Sequence, residues 1–101
     1  MKKHTRIYLE AFGYDTGDTT LFVPSEISEA KGNDLHHIVT REDRIENLMM
    51  LTRKEHEDYG DRKDYMAYLL KIHRRRLQMA NIPFDDRWFE FYINRYEALT
   101  Q

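Results

Sequence analysis

The chain has 101 residues, 41% hydrophobic and 34% charged, which fits one small globular domain rather than a disordered chain. Its net charge of −2 argues against a surface that grips nucleic acid all over and leaves room only for a local basic face. Cysteine is absent, so disulfides and thiolate zinc cages are excluded; the start, MKKHTRIYLEAF, lacks a secretory apolar core and no apolar run approaches a membrane span, so a cytoplasmic protein with no membrane partner is expected.

Taken in order, residues 5–12 place Ile7, Tyr8, Ala11 and Phe12 at helical spacing, with Thr5 as N-cap and Gly13 as stop. Residues 15–20 (DTGDTT) form turns. Leu21, Phe22 and Val23 read as a short strand ended by Pro24. Residues 25–32 are polar and read as a turn or knuckle. Residues 35–39 read as a second short strand, and 40–43 as a charged loop. Residues 45–51 are apolar on one side and contain Asn47. Thr52-Arg53-Lys54-Glu55 is a capping box, in which hydroxyl and carboxylate each take one free backbone N–H. A helix should therefore start at Thr52, carry His56 in its first turns and stop near Tyr59 and Gly60.

Residues 61–79 form a further helical window, with Tyr65, Met66, Leu69, Leu70, Ile72, His73 and Leu77 as its apolar stripe. Asn81-Ile82-Pro83 ends it. Asp85 or Asp86 caps a last helix in which Trp88, Phe89, Tyr92, Tyr96 and Leu99 recur at helical spacing. The fold class is α+β. One domain spans residues 1–101, with a small β-containing core at about 20–60 and helices at about 61–101.

The stretch 34–56 (DLHHIVTREDRIENLMMLTRKEH) holds three of the five histidines. His36 and His37 follow Asp34 on a short apolar run, Asn47 lies ten residues beyond His37, and His56 nine beyond Asn47. LHHI, then IENLMML, then a helix bearing His resembles the HNH endonuclease family with its ββα-metal motif, and most closely the small members from bacteria and phages. The likeness covers roughly residues 20–60. It implies a β-hairpin followed by a helix with one divalent metal between them (Mg²⁺, Mn²⁺, Ni²⁺ or Zn²⁺) and DNA as partner. By that resemblance His36 and His56 are the metal ligands, His37 is the general base that activates water, and Asn47 ties the hairpin loop and aims the base. Asp34 shares the His36 side of the strand, where it would orient a histidine or bind metal itself.

Two departures from the family pattern matter. Relatives often carry a structural zinc on paired Cys-x-x-Cys units, and here the corresponding positions are Ser25-x-x-Ser28 and Thr52-x-x-Glu55, so no structural zinc is expected. Some relatives have another His four residues after the last one, where this chain has Gly60. The run 71–76 (KIHRRR) is the densest positive patch. Arg74, Arg75 and Arg76, with Arg41, Arg44, Arg53 and Lys54, are candidate phosphate contacts. His73 reads as a core-edge or phosphate-facing residue, and His4 as merely terminal. The aromatic last helix is read as core or as a homodimer face. The resemblance implies hydrolysis of DNA phosphodiester bonds, by nicking or cutting. The alternative is an HNH scaffold, in one version phage-encoded, that binds DNA or a protein without cleaving.

Overall fold

The computed structural model describes residues 1–99. It is a mixed α+β fold: α1 (Lys3–Ala11), β1 (Asp34–His37), β2 (Leu48–Leu51), a short α2 (Arg53–Glu55) that runs into a π-helical turn (His56–Gly60), α3 (Lys63–Met79) and α4 (Asp86–Leu99). A single 3₁₀ turn, Ile45–Asn47, leads into β2. The strands form an antiparallel hairpin in the register Asp34↔Leu51, Leu35↔Met50, His36↔Met49 and His37↔Leu48.

Side chains alternate across a strand, and β2 is buried along its whole length, so each face of the hairpin needs its own cover. Leu48 and Met50 pack with Tyr8 and Leu9 of α1. Met49 and Leu51 pack with Leu69, Leu70 and Leu77 of α3 and with Trp88, Phe89 and Ile93 of α4. The same alternation divides β1. Paired across from Met49, His36 belongs to the α3–α4 face; paired across from Leu48, His37 belongs to the α1 face.

Several local expectations change. Residues 21–23 form no strand; what pairs nearby is one isolated bridge, Pro24↔Lys31. Three residues ended by proline have too little ladder to persist alone. Helix α1 starts two residues before Thr5, at Lys3, and Lys2 at its N-cap makes no side-chain cap; Gly13 does close the helix, with φ 79°. Asp85 rather than Asp86 caps α4, its Oδ1 accepting from the Arg87 and Trp88 amides. Trp88, Phe89 and Ile93 are consumed by the core, which leaves Phe91 and Leu99 as the large exposed apolar residues of that helix.

His73 is neither at the core edge nor turned to phosphate, because it is fully buried. Its Nδ1 bonds Glu26 Oε1 at 2.7 Å and its Nε2 bonds the Ile45 carbonyl at 2.6 Å. Burial opposes its charge, but the Glu26 carboxylate and these hydrogen bonds outweigh that and hold its pKa above the ordinary histidine value. Glu26 Oε2 accepts from Tyr8 Oη at 2.8 Å, so one carboxylate joins α1 to α3 beneath the hairpin. Among the described residues no helix is long and apolar enough to cross a membrane.

Candidate metal centre

Helix α2 presents His56, and its start is the capping box expected at Thr52. Thr52 Oγ1 accepts from the Glu55 amide at 3.1 Å and Glu55 Oε1 accepts from the Thr52 amide at 2.9 Å. Glu55 does more than cap. Ser25 Oγ donates to Glu55 Oε1 at 2.5 Å, while accepting from the Ile27 and Ser28 amides. Burial raises the Glu55 pKa, but the Ser25 and Ser28 hydroxyls and the Thr52 bonds outweigh it and leave the carboxyl below its usual value. The two spaced pairs, 25/28 and 52/55, thus meet through hydrogen bonds. They lock the knuckle at residues 25–30 to the helix start.

After Glu55 the backbone widens. Residues His56–Gly60 wind as a π-turn, whose closure runs i→i+5 instead of i→i+4. The residue brought to the side of His56 is therefore Asp61, five positions on. One ligand atom from each of His36, His56 and Asp61 lies within 4.8 Å of the others. The His36 and His56 rings are 4.7 Å apart, centre to centre, and tilted by 52°.

Three features mark this cluster as a place for a cation. His36 Nε2 is buried with no hydrogen-bond partner, and an orphaned buried nitrogen is costly unless something binds it. His36 is pushed down to a pKa of about 4, first by burial and then by the neighbouring His56, so near neutral pH it is an uncharged ring with a lone pair to give. Gly60 leaves the space open: a Cβ there would stand 2.4 Å from His56 Cδ2 and 3.3 Å from His36 Cε1.

Asp34 orients this cluster and stays outside its ligand set. Its Oδ2 accepts from His56 Nδ1 at 3.1 Å, which turns His56 Nε2 away. Arg53 grips both Asp34 oxygens at 2.8 and 3.0 Å. That bond, followed by the one to His56, holds the Asp34 carboxyl below its ordinary pKa.

His37 projects to the other face. Its Nε2 is 2.8 Å from Asp43 Oδ1, and its ring centre is 4.9 Å from that of His4 on α1. Asn47 is fully buried and fixes the loop that carries Asp43. Its Oδ1 accepts from the Val39 and Thr40 amides at 3.0 and 3.3 Å, and its Nδ2 donates to the Thr40 and Glu42 carbonyls at 2.8 and 3.0 Å. An open cleft of about 450 Å³ is lined by Lys2, His4, Asp34 and His56, so one histidine of each cluster borders the same depression.

The candidate phosphate contacts are mostly engaged within the chain. Arg44 pairs with Glu42, Glu46 and Asp85 and lies over the Trp88 ring. Arg53 is taken by Asp34, Lys54 by Asp58, Arg74 by Asp86, and Arg76 by Glu29 and the Glu26 carbonyl. Arg41 and Arg75 are exposed and make no ion pair among the described residues.

Sequence reading missed Asp61, Asp43 and His4. An α-helical count points to position 60 after His56, and only the π-turn moves the candidate ligand to 61. No family model, curated protein or solved structure matches the chain.

Proposed function

We propose that this protein is a metal-dependent endonuclease of the HNH type that hydrolyses DNA phosphodiester bonds. One observation carries the reading. His36, whose buried Nε2 has no hydrogen-bond partner, clusters with His56 and Asp61, while the next residue along the strand, His37, is held by a carboxylate.

Two imidazoles and one carboxylate suit Zn²⁺, Ni²⁺ or Mn²⁺ and leave positions open for phosphate and water. A divalent cation on His36, His56 and Asp61 would supply Lewis-acid polarisation of the phosphate and charge stabilisation at the leaving oxygen. The rest of the chemistry belongs to the chain. Asp43 is ionised, because its hydrogen bond to His37 keeps its pKa low. It accepts the Nε2 proton of His37, which fixes the tautomer and leaves Nδ1 as the proton acceptor for an attacking water. Asn47 holds the 40–43 loop and so holds Asp43 against His37. Asp34 keeps His56 aimed, and Lys2 on the shared cleft offers a positive charge to the DNA backbone.

The test is conversion of supercoiled plasmid to nicked or linear DNA with Mg²⁺, Mn²⁺, Ni²⁺ or Zn²⁺, beside His37→Ala. Wild type should cut with at least one metal and His37→Ala should lose at least a hundredfold in rate, the scale of a positioned acid–base group. Intact plasmid with every metal, or equal cutting by both proteins, overturns the reading.

A further inference from the structure

The His4–His37–Asp43 cluster is a second place where three ligand-type side chains converge. One atom from each lies within 4.8 Å of the others. We propose that these residues form a second cation site, selective for borderline transition metals such as Zn²⁺ and Ni²⁺, and that its occupancy silences His37. The silencing rests on the nuclease reading above; the binding does not.

The geometry is close to what such a cation needs. Metal–ligand bonds of about 2.1 Å put neighbouring donors about 3.4 Å apart. His37 Nε2 and Asp43 Oδ1 already stand 2.8 Å apart. The remaining ligand, His4, lies in the first turn of α1 and is only part-buried, so a rotamer change closes its gap. His37 is fixed in β1, and Asp43 sits on the loop that Asn47 fastens with bonds to Thr40 and Glu42. Two donors are thus pre-placed and the third is adjustable.

The donor set sets the selectivity. Two imidazole nitrogens and one carboxylate oxygen favour Zn²⁺ and Ni²⁺ over Mg²⁺ or Ca²⁺, which prefer all-oxygen shells. Lys3 stands near Asp43 and opposes any cation there, so coordination to the imidazoles has to carry the binding.

The consequence for His37 follows from counting protons. With Asp43 as its partner, the neutral ring carries its hydrogen on Nε2 and keeps Nδ1 free. With a metal on Nε2, the neutral ring must carry that hydrogen on Nδ1, and the proton acceptor is gone. The productive cation would then sit with His56 and the inhibitory one with His4, the two histidines that border the cleft.

The test is calorimetric titration of untagged protein with Zn²⁺, with fold checked by circular dichroism. His4→Ala and, separately, Asp43→Asn should each bind one equivalent fewer than wild type, and His36→Ala should lose a different equivalent. If His4→Ala and Asp43→Asn both titrate like wild type, the second site does not exist. If His36→Ala alone titrates like wild type, the metal centre of the nuclease reading fails while this site stands. In plasmid cutting with Mg²⁺ or Mn²⁺, the Zn²⁺ concentration for half-inhibition should rise at least tenfold in His4→Ala. An unchanged value overturns the silencing.

Discussion

Gly60→Ala tests the proposed metal centre with one methyl group. The backbone at Gly60 lies outside the left-handed region, so alanine is allowed there and the effect is steric. The new Cβ would sit 2.4 Å from His56 Cδ2 and 3.3 Å from His36 Cε1. Carbon atoms rest about 3.5 Å apart, so the His56 ring has to retreat by about 1 Å. A metal site tolerates ligand errors of only about 0.2 Å. Retreat also disturbs the 3.1 Å bond from His56 Nδ1 to Asp34. The expected loss is about ten- to a hundredfold in Zn²⁺ or Ni²⁺ affinity, the usual cost of disturbing the groups that orient metal ligands. Alanine gains about 1 kcal/mol over glycine in helical backbone, against about 1–3 kcal/mol of overpacking, so net stability should fall by about 0–2 kcal/mol. Calorimetric metal titration and urea denaturation of the metal-free variant separate the two effects. A folded Gly60→Ala protein with wild-type affinity would refute the arrangement of His36, His56 and Asp61 argued above.

Three further outcomes are expected. Asn47→Ala removes four hydrogen bonds from a buried position and should cost about 2–4 kcal/mol in urea denaturation; a loss below about 0.5 kcal/mol would contradict its role as the clasp of the loop. His36 has its folded pKa pushed down to about 4 from an ordinary 6.5, so the unfolded chain binds the extra proton between those values and stability falls as pH drops from 6.5 toward 4. His73 is shifted the opposite way, so its contribution is present below pH 6.5 and is lost as pH rises through its raised value. Comparison with His36→Gln cancels that background: wild type should lose about 2–3 kcal/mol more than the variant between pH 7 and pH 4.5, and parallel curves would exclude the shift. Finally, combining Ser25→Cys, Ser28→Cys, Thr52→Cys and Glu55→Cys should make the melting temperature zinc-dependent, and should cost about 1–2 kcal/mol without zinc through loss of the capping box. A zinc-insensitive melting curve would mean that the four positions do not converge as their hydrogen bonds indicate.

What could be read from the sequence was local. The capping box at Thr52 is complete within four residues, and the structure forms both of its bonds. The clasp role of Asn47 came from the HNH resemblance rather than from its neighbours, since an asparagine before an apolar strand is equally an ordinary turn residue; the structure gives its side chain four bonds to residues 39–42. Helices α3 and α4 announced themselves by apolar spacing. What could not be read depended on distant partners or on backbone winding. Glu26 lies 47 residues from His73, and only their burial together turns an apparent stripe histidine into part of an ionic core. The arginines of 71–76 looked like a free patch because Glu29 and Asp86, which take up Arg76 and Arg74, come from other segments. Asp61 was hidden by the π-turn, since nothing in HEDYG marks a turn that closes one residue late.

The hydrogen-bonded knuckle bears on how the proposed metal centre relates to folding. Where a structural zinc staples a small domain, metal binding supplies on the order of 10 kcal/mol or more, and removing metal unfolds the chain. Here Ser25, Thr52 and Glu55 contribute a capping box and a Ser25–Glu55 bond, together worth about 1–3 kcal/mol. That cannot replace a zinc staple, so the stability must come from elsewhere. It comes from the two-sided cover of the hairpin and from the Glu26 carboxylate, which ties α1 and α3 together while Arg76 bonds the Glu26 carbonyl. None of these contacts involves His36, His56 or Asp61. Folding and the proposed metal binding are then separable: the cluster can hold an orphaned nitrogen and an open glycine cradle because the surrounding core does not depend on their being filled. This is the condition under which a site can keep ligand positions open for phosphate and water without risking the fold.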